Sequence, residues 1–163
     1  MSSFNAIESP TLTPETAAPA DELIVENVAW FPSIDLAHMR EAVRLTGTVT
    51  TARLRDAAIA AVDEVNRELA SWRTPHEAAG IASLAELPAD AIGGESVQLA
   101  RYRRAVYFLA RADLTEKYRD FDSTKSGAND ADELATTIDA DRRNARQAIN
   151  DMRGVARVTI ELI

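Results

Sequence analysis

Residues 51–72 read TARLRDAAIAAVDEVNRELASW. Within them Leu54, Ala58, Ala61, Val65, Leu69 and Trp72 recur at steps of three and four, while Asp56, Asp63, Arg67 and Glu68 fall mostly on other faces. An apolar stripe at the helical period, sustained over about five turns, predicts a long helix buried along one side. Each large member contributes roughly 1.5–3 kcal/mol if fully buried. Thr50 or Thr51 is the expected cap, and Pro75 is expected to interrupt the helix or to start a further short turn.

Working outward, Ser33 is the expected N-cap of a helix over 34–45, with Leu36, Met39 and Val43 on one face and Gly47 at its end. Before it, Leu23-Ile24-Val25 and Val28-Ala29-Trp30-Phe31 form two short apolar patches closed by Pro32. They suit a strap lying over a helical body, anchored by Trp30 and Phe31. Residues 1–22 carry Pro10, Pro14 and Pro19 among Thr, Ser, Ala and acids, without helical or strand period. Too little apolar surface is present there to offset chain entropy, so this is expected to be a flexible, acidic arm.

Downstream, 80–94 reads as a loop with one helical turn over 81–86 and a Gly93-Gly94 turn. A helix is predicted over 95–121, with Leu99, Tyr102, Val106 and Leu109 on one face and Tyr107, Leu114, Tyr118 and Phe121 on another. Apolar on two faces, it should lie centrally. After a polar loop around Gly127, a last helix over 130–153 shows Leu134, Ile138, Ala145, Ile149 and Met152 and stops at Gly154. From 155 the period changes to two, with Val158, Ile160 and Leu162 facing one way and Arg157, Thr159 and Glu161 the other. That pattern predicts a strand without a hairpin partner, which must pair with 23–28 of the same chain or with another chain. The expectation is a mainly α protein: a small helical bundle of about four helices over 23–154, an extended N-terminal arm over 1–22 and a C-terminal β-strand over 155–163.

The bulk composition narrows the function. A chain of 163 residues can bury one core without staples, and with no cysteine it has neither disulfides nor thiolate metal sites. No apolar run reaches the ~18–20 residues of a bilayer span, and no signal-peptide pattern opens the chain, so the expected setting is the cytoplasm or something assembled there. The formal charge is −8. Residues 1–39 hold six acids and no Lys or Arg, leaving eighteen bases against twenty acids in the remainder. Such a protein is poorly suited to gripping nucleic acid, although it can stand beside it.

Candidate chemistry fails residue by residue. His38 and His76 lie on different segments, without an acid or nucleophile at a useful spacing. Asp120-x-Asp122 opens like a calcium loop but has Lys125 where glycine is needed and Ala131 where glutamate is needed. Asp139 and Asp141, two apart on a helix, diverge by about 200°. Gly93-Gly94 lacks the strand and the Gly-Lys-Ser of a phosphate loop. No catalytic set, cofactor site or metal site is expected. Two arginine clusters remain: Arg101, Arg103, Arg104 and Arg111, then Arg142, Arg143, Arg146 and Arg153. They are either solvated faces paired with nearby acids or contacts between subunits, for which Arg101, Arg104, Arg143 and Arg146 are the candidates.

The connecting segments carry a resemblance. Trp30-Phe31-Pro32-x-Ile34-Asp35, Arg53-Leu54-Arg55 and Pro88-Ala89-Asp90-x-Ile92-x-Gly94-Glu95-Ser96 appear in order. Tyr102-x-x-Ala105-Val106, Leu114-x-Glu116-x-Tyr118-Arg119 and Thr137-Ile138-Asp139 follow. From about residue 23 onward the chain resembles the GPL-type head-completion (head-stabilisation) proteins of contractile-tailed temperate phages; the acidic arm does not share the likeness. The resemblance implies a non-enzymatic component of the virion neck, present in host cytoplasm during assembly. It would dock on the portal protein after DNA packaging, stand next to the packaged DNA without sequence-specific binding and offer a surface to a tail or neck adaptor protein. Related connectors form twelve-fold rings with a terminal segment on the portal. The unpartnered strand over 155–163 is itself expected to extend onto a neighbouring chain, the portal, by strand addition, with Val158, Ile160 and Leu162 filling pockets. The alternatives are a tail-side adaptor or terminator and a helical binding module outside the virion.

Overall fold

The computed structural model describes residues 23–45, 49–121 and 128–155. The acidic arm, Gly47, Asp122 and Lys125 of the failed calcium loop, and all but Val155 of the segment expected to form a C-terminal strand lie outside them. Four helices dominate the described residues: α1 (Leu36–Ala42), α2 (Thr51–Ala78), α3 (Val97–Phe121) and α4 (Ala128–Arg153). Two short antiparallel pairs accompany them, β1 (Ile24–Val25) with β2 (Ile34–Asp35), and β3 (Ala91–Ile92) with β4 (Glu95–Ser96).

The long stripe behaves as its period requires. Leu54, Ala58, Ala61, Val65 and Leu69 are buried, Ala57 and Val62 join them, and Trp72 is half-buried. Thr50 is the cap, its Oγ1 accepting from the Arg53 amide at 3.4 Å. α2 does not stop at Pro75 but runs on to Ala78. Proline removes one amide donor there, yet the last turn is held from both sides. Trp72 packs edge-on against Trp30 and His76, and Gly80 closes the end in the left-handed conformation (φ +87°). The Gly80 amide then reaches the Glu77 carbonyl at 2.9 Å and the Ile81 amide that of His76 at 3.1 Å.

α1 is shorter than the spacing predicts and begins later. Asp35, not Ser33, caps it, its Oδ1 accepting from the amides of Ala37 (2.8 Å) and His38 (3.1 Å). A carboxylate at the helix N-terminus satisfies two free amides and meets the positive end of the dipole. Ile34 is thereby released to pair with Val25 as Asp35 pairs with Ile24. The β1 strand, named as one partner for the expected C-terminal strand, thus has β2 along one edge. α1 also ends before Gly47, at Val43, because Arg44 takes the left-handed conformation (φ 53°) and Leu45 returns its amide to the Arg40 carbonyl.

α3 is central. It packs most extensively on α4 and next on α2, while α2 and α4 meet at few places. Tyr102, Ala105, Val106, Ala110 and Leu114 are buried, with Leu99 and Leu109 at the core margin. From α4, Ile138, Ala145, Ala148, Ile149 and Met152 are buried. α4 ends at Gly154 (φ 68°), where the Val155 amide turns back to the Asn150 carbonyl at 2.9 Å.

The strap over 23–35 is part of the core. Trp30 and Phe31 are buried, with Phe31 stacked on Tyr102 at 4.8 Å. A closed polar triangle locks it: Asn27 Nδ2 donates to the Tyr102 hydroxyl (2.8 Å), which donates to Asn66 Oδ1 (2.7 Å), while Asn66 Nδ2 donates to Asn27 Oδ1 (2.8 Å). Burial pushes the Tyr102 phenol well above the usual tyrosine range, against the opposing pull of the Asn27 hydrogen bond, so it stays neutral. Tyr102→Phe leaves an amide donor and an amide acceptor unpaired and is expected to cost about 1–3 kcal/mol by urea unfolding. A loss below about 0.5 kcal/mol would mean that the triangle is dispensable.

Candidate functional site

Three side-chain links run down the α3–α4 seam in antiparallel order. Arg101 Nη1 donates to the Asp151 carbonyl at 3.1 Å, Arg111 grips the Asp141 carboxylate with two nitrogens, and Arg142 meets Glu116 at 2.6 Å. The middle link is the buried one. Asp141 is 1% exposed and Arg111 26%, and Arg111 also donates to the Val43 carbonyl at 3.3 Å. One guanidinium therefore ties α3, α4 and the end of α1. Phe108 lies beneath Arg111 and Arg104, 5.1 Å and 5.4 Å from its ring centre.

The four arginines expected at subunit contacts divide. Arg101 is engaged within the molecule, whereas Arg104, Arg143 and Arg146 have exposed side chains. Arg146 stands with Arg142 on one rim of a cleft between α2 and α4, of about 400 Å³. The opposite rim is acidic, with Glu64 and Glu68 of α2, and Asp113 of α3 adds a third carboxylate to the lining. The floor is apolar, made by Ala57, Ala60 and Ala61 of α2, Leu109 of α3, and Ala145 and Ile149 of α4. Alanines on both facing helices leave the floor shallow and open, since no long side chain crosses it. Residues Val158, Ile160 and Leu162 lie outside the described residues; the chain reaches them through Val155, which is exposed just past the end of α4.

The histidines are structural. His38 Nδ1 is 2.8 Å from the Tyr107 hydroxyl, and His76 sits edge-on to Trp72. Burial pushes the Tyr107 phenol up to about 12, Arg103 opposing and Asp35 and Glu95 adding to the rise. Among the described residues no three His, Cys, Asp or Glu side chains are placed to hold a metal ion, and no helix is long and apolar enough to cross a membrane.

Two features escaped the sequence reading. The Arg111–Asp141 pair had a visible signal, because Ile138, Asp141, Ala145, Ala148 and Met152 step by three and four and so place a carboxylate inside the apolar stripe of α4. The cleft had none, since it depends on how far α2 and α4 stand apart.

The family model described as phage head completion protein (GPL) matches residues 25–163. The head completion/stabilization protein of Escherichia phage P2 is 39% identical over 156 residues, covering 96% of this chain and 91% of that protein. No solved structure matches the fold. With a family match over nearly the whole chain and a relative of this identity and coverage, the chain belongs to the phage head completion protein (GPL) family.

Proposed function

We propose that this protein docks on the portal vertex of the DNA-filled head, closes there as a ring, twelve-fold like those of related connectors, and presents a surface to the tail or its adaptor. The observation that carries this reading is the family match over residues 25–163. Supporting it, the exposed cations Arg104, Arg143 and Arg146 on α3 and α4 face outward, ready to meet acids of adjacent subunits. The overall charge of −8 suits a channel neighbour past which DNA slides without sticking. The protein assembles in the host cytoplasm and remains in the virion neck.

Portal contact is assigned to the segment 155–163. Its alternation sets Val158, Ile160 and Leu162 on one face, as strand addition to a partner's sheet edge requires: backbone bonds supply affinity and alternate side chains fill pockets. Removing 155–163 is expected to lower recovery of the protein on immobilised portal at least tenfold, while leaving its thermal unfolding close to that of the full chain. Undiminished docking would refute the assignment. Native mass spectrometry of the portal complex is expected to show a cyclic oligomer, and any open or single-copy stoichiometry would contradict the ring.

A further inference from the structure

We propose that within this ring the β3–β4 hairpin of one copy seats Ile92 in the α2–α4 cleft of the next. The inference rests on the ring reading and identifies its interface. Ile92 is 75% exposed, more than any other large apolar side chain among the described residues. It stands at the tip of a hydrogen-bonded hairpin. Gly93 (φ +62°) and Gly94 (φ +83°) form the tight turn that matches Ile92 with Glu95, and the Val97 amide ties the base of the hairpin to the Asp90 carbonyl at 3.0 Å. A knob on an already paired hairpin has less backbone left to order when it docks.

The cleft has room for this knob, and because Lys117 already pairs with Asp113 and Arg103 with Glu95 inside the chain, the charges left to attract across the contact are Asp90 and Arg146. Its alanine-lined floor and volume of about 400 Å³ accept a branched aliphatic side chain together with its turn. Asp90, exposed at the base of the hairpin, complements the Arg146 rim. The exposed turn amides of Gly93 and Gly94 offer donors to Glu64 and Glu68 on the other rim.

One chain cannot satisfy its own contact. The hairpin ends where α3 begins at Val97, whereas α3 reaches the floor at Leu109, twelve residues or about 18 Å further along that helix. Knob and socket are different patches at different heights, so a contact between copies is head-to-tail, the arrangement that closes into a ring when its rotation permits.

The test uses the full chain in assembled particles. Ile92→Asp is expected to leave thermal unfolding unchanged, since the side chain is exposed, and to reduce the amount of protein in purified DNA-filled heads at least tenfold; Ile92→Ala should fall between. Incorporation of Ile92→Asp at the wild-type level overturns the proposal. The absence of cysteine allows a second arm. Oxidised particles carrying both Ile92→Cys and Ala60→Cys should give a ladder of cross-linked multimers, and each single variant should give none. A doubly substituted protein that enters particles but stays monomeric on a denaturing gel overturns the interface. If native mass spectrometry still finds a cyclic oligomer, only this inference falls; an open or single-copy complex strikes the ring itself.

Discussion

Arg111→Met is expected to destabilise the protein by about 3–5 kcal/mol, because it leaves the carboxylate of Asp141 buried without its cation. Asp141 is almost wholly enclosed and both of its oxygens are taken by Arg111, so water cannot replace the lost donors without opening the seam. The reverse change, Asp141→Asn, should cost less: Arg111 is partly exposed and its guanidinium can turn to solvent. Replacing the pair together, as Arg111→Met with Asp141→Leu, should recover most of the loss, since apolar residues of similar volume need no compensating charge. Urea unfolding of wild type, Arg111→Met, Asp141→Leu and the double variant closes a double-mutant cycle. A single Arg111→Met within about 1 kcal/mol of wild type would show that the seam admits water. Hydrogen exchange should also rise at the end of α1, where the Val43 carbonyl loses its donor.

Trp30→Ala should be comparably severe, again about 3–5 kcal/mol, through the cavity left by a buried indole. Its ring meets Phe31 at 4.9 Å and Trp72 at 5.8 Å, and its Nε1 donates to the Ile81 carbonyl at 3.1 Å. Its own carbonyl accepts from the Leu84 amide at 2.8 Å, so the indole, through Ile81, and the backbone of Trp30 together hold the loop between α2 and β3. Trp30→Phe keeps much of the volume and loses the hydrogen bond, and should cost roughly 1–2 kcal/mol. Unfolding midpoints measure both variants, and exchange at Leu84 and Leu87 reports whether the loop loosens. Equal losses for the two would place the whole effect in the hydrogen bond.

The long helices were legible because burial along a helix repeats at its own period. Leu54 through Leu69 needed no knowledge of their partners. The Trp30 and Phe31 anchors could be read for a similar reason: two large aromatics before a proline, in a segment with no period of its own, have little to do but pack elsewhere. The start of α1 could not be read. Ser33 and Asp35 are both acceptable caps, and the choice rests on the pairing of Ile34 with Val25, a tertiary contact. Pro75 misled in the same way, since a local cost was outweighed by the packing of Trp72 and His76. Arg111 lies between Tyr107 and Leu114 at helical spacing, matching the position of Asp141 on α4, so two charges inside two stripes were there to be matched. The subunit candidates were legible only as exposed charge: Arg101 looks like Arg104 in the chain, and only the approach of α4 sends it to the Asp151 carbonyl.

The strap sets an order of events during synthesis. Asn27 and its hydroxyl partner on Tyr102 are 75 residues apart. At translation rates of 5–20 residues per second, Trp30 and Phe31 emerge from the ribosome roughly 4–15 s before the surface that will cover them exists. During that interval the nascent chain displays its most adhesive segment, and neighbouring chains on one messenger display it together. Burial of the strap by α3 ends that exposure, so release of a non-sticky subunit waits on translation past Tyr102.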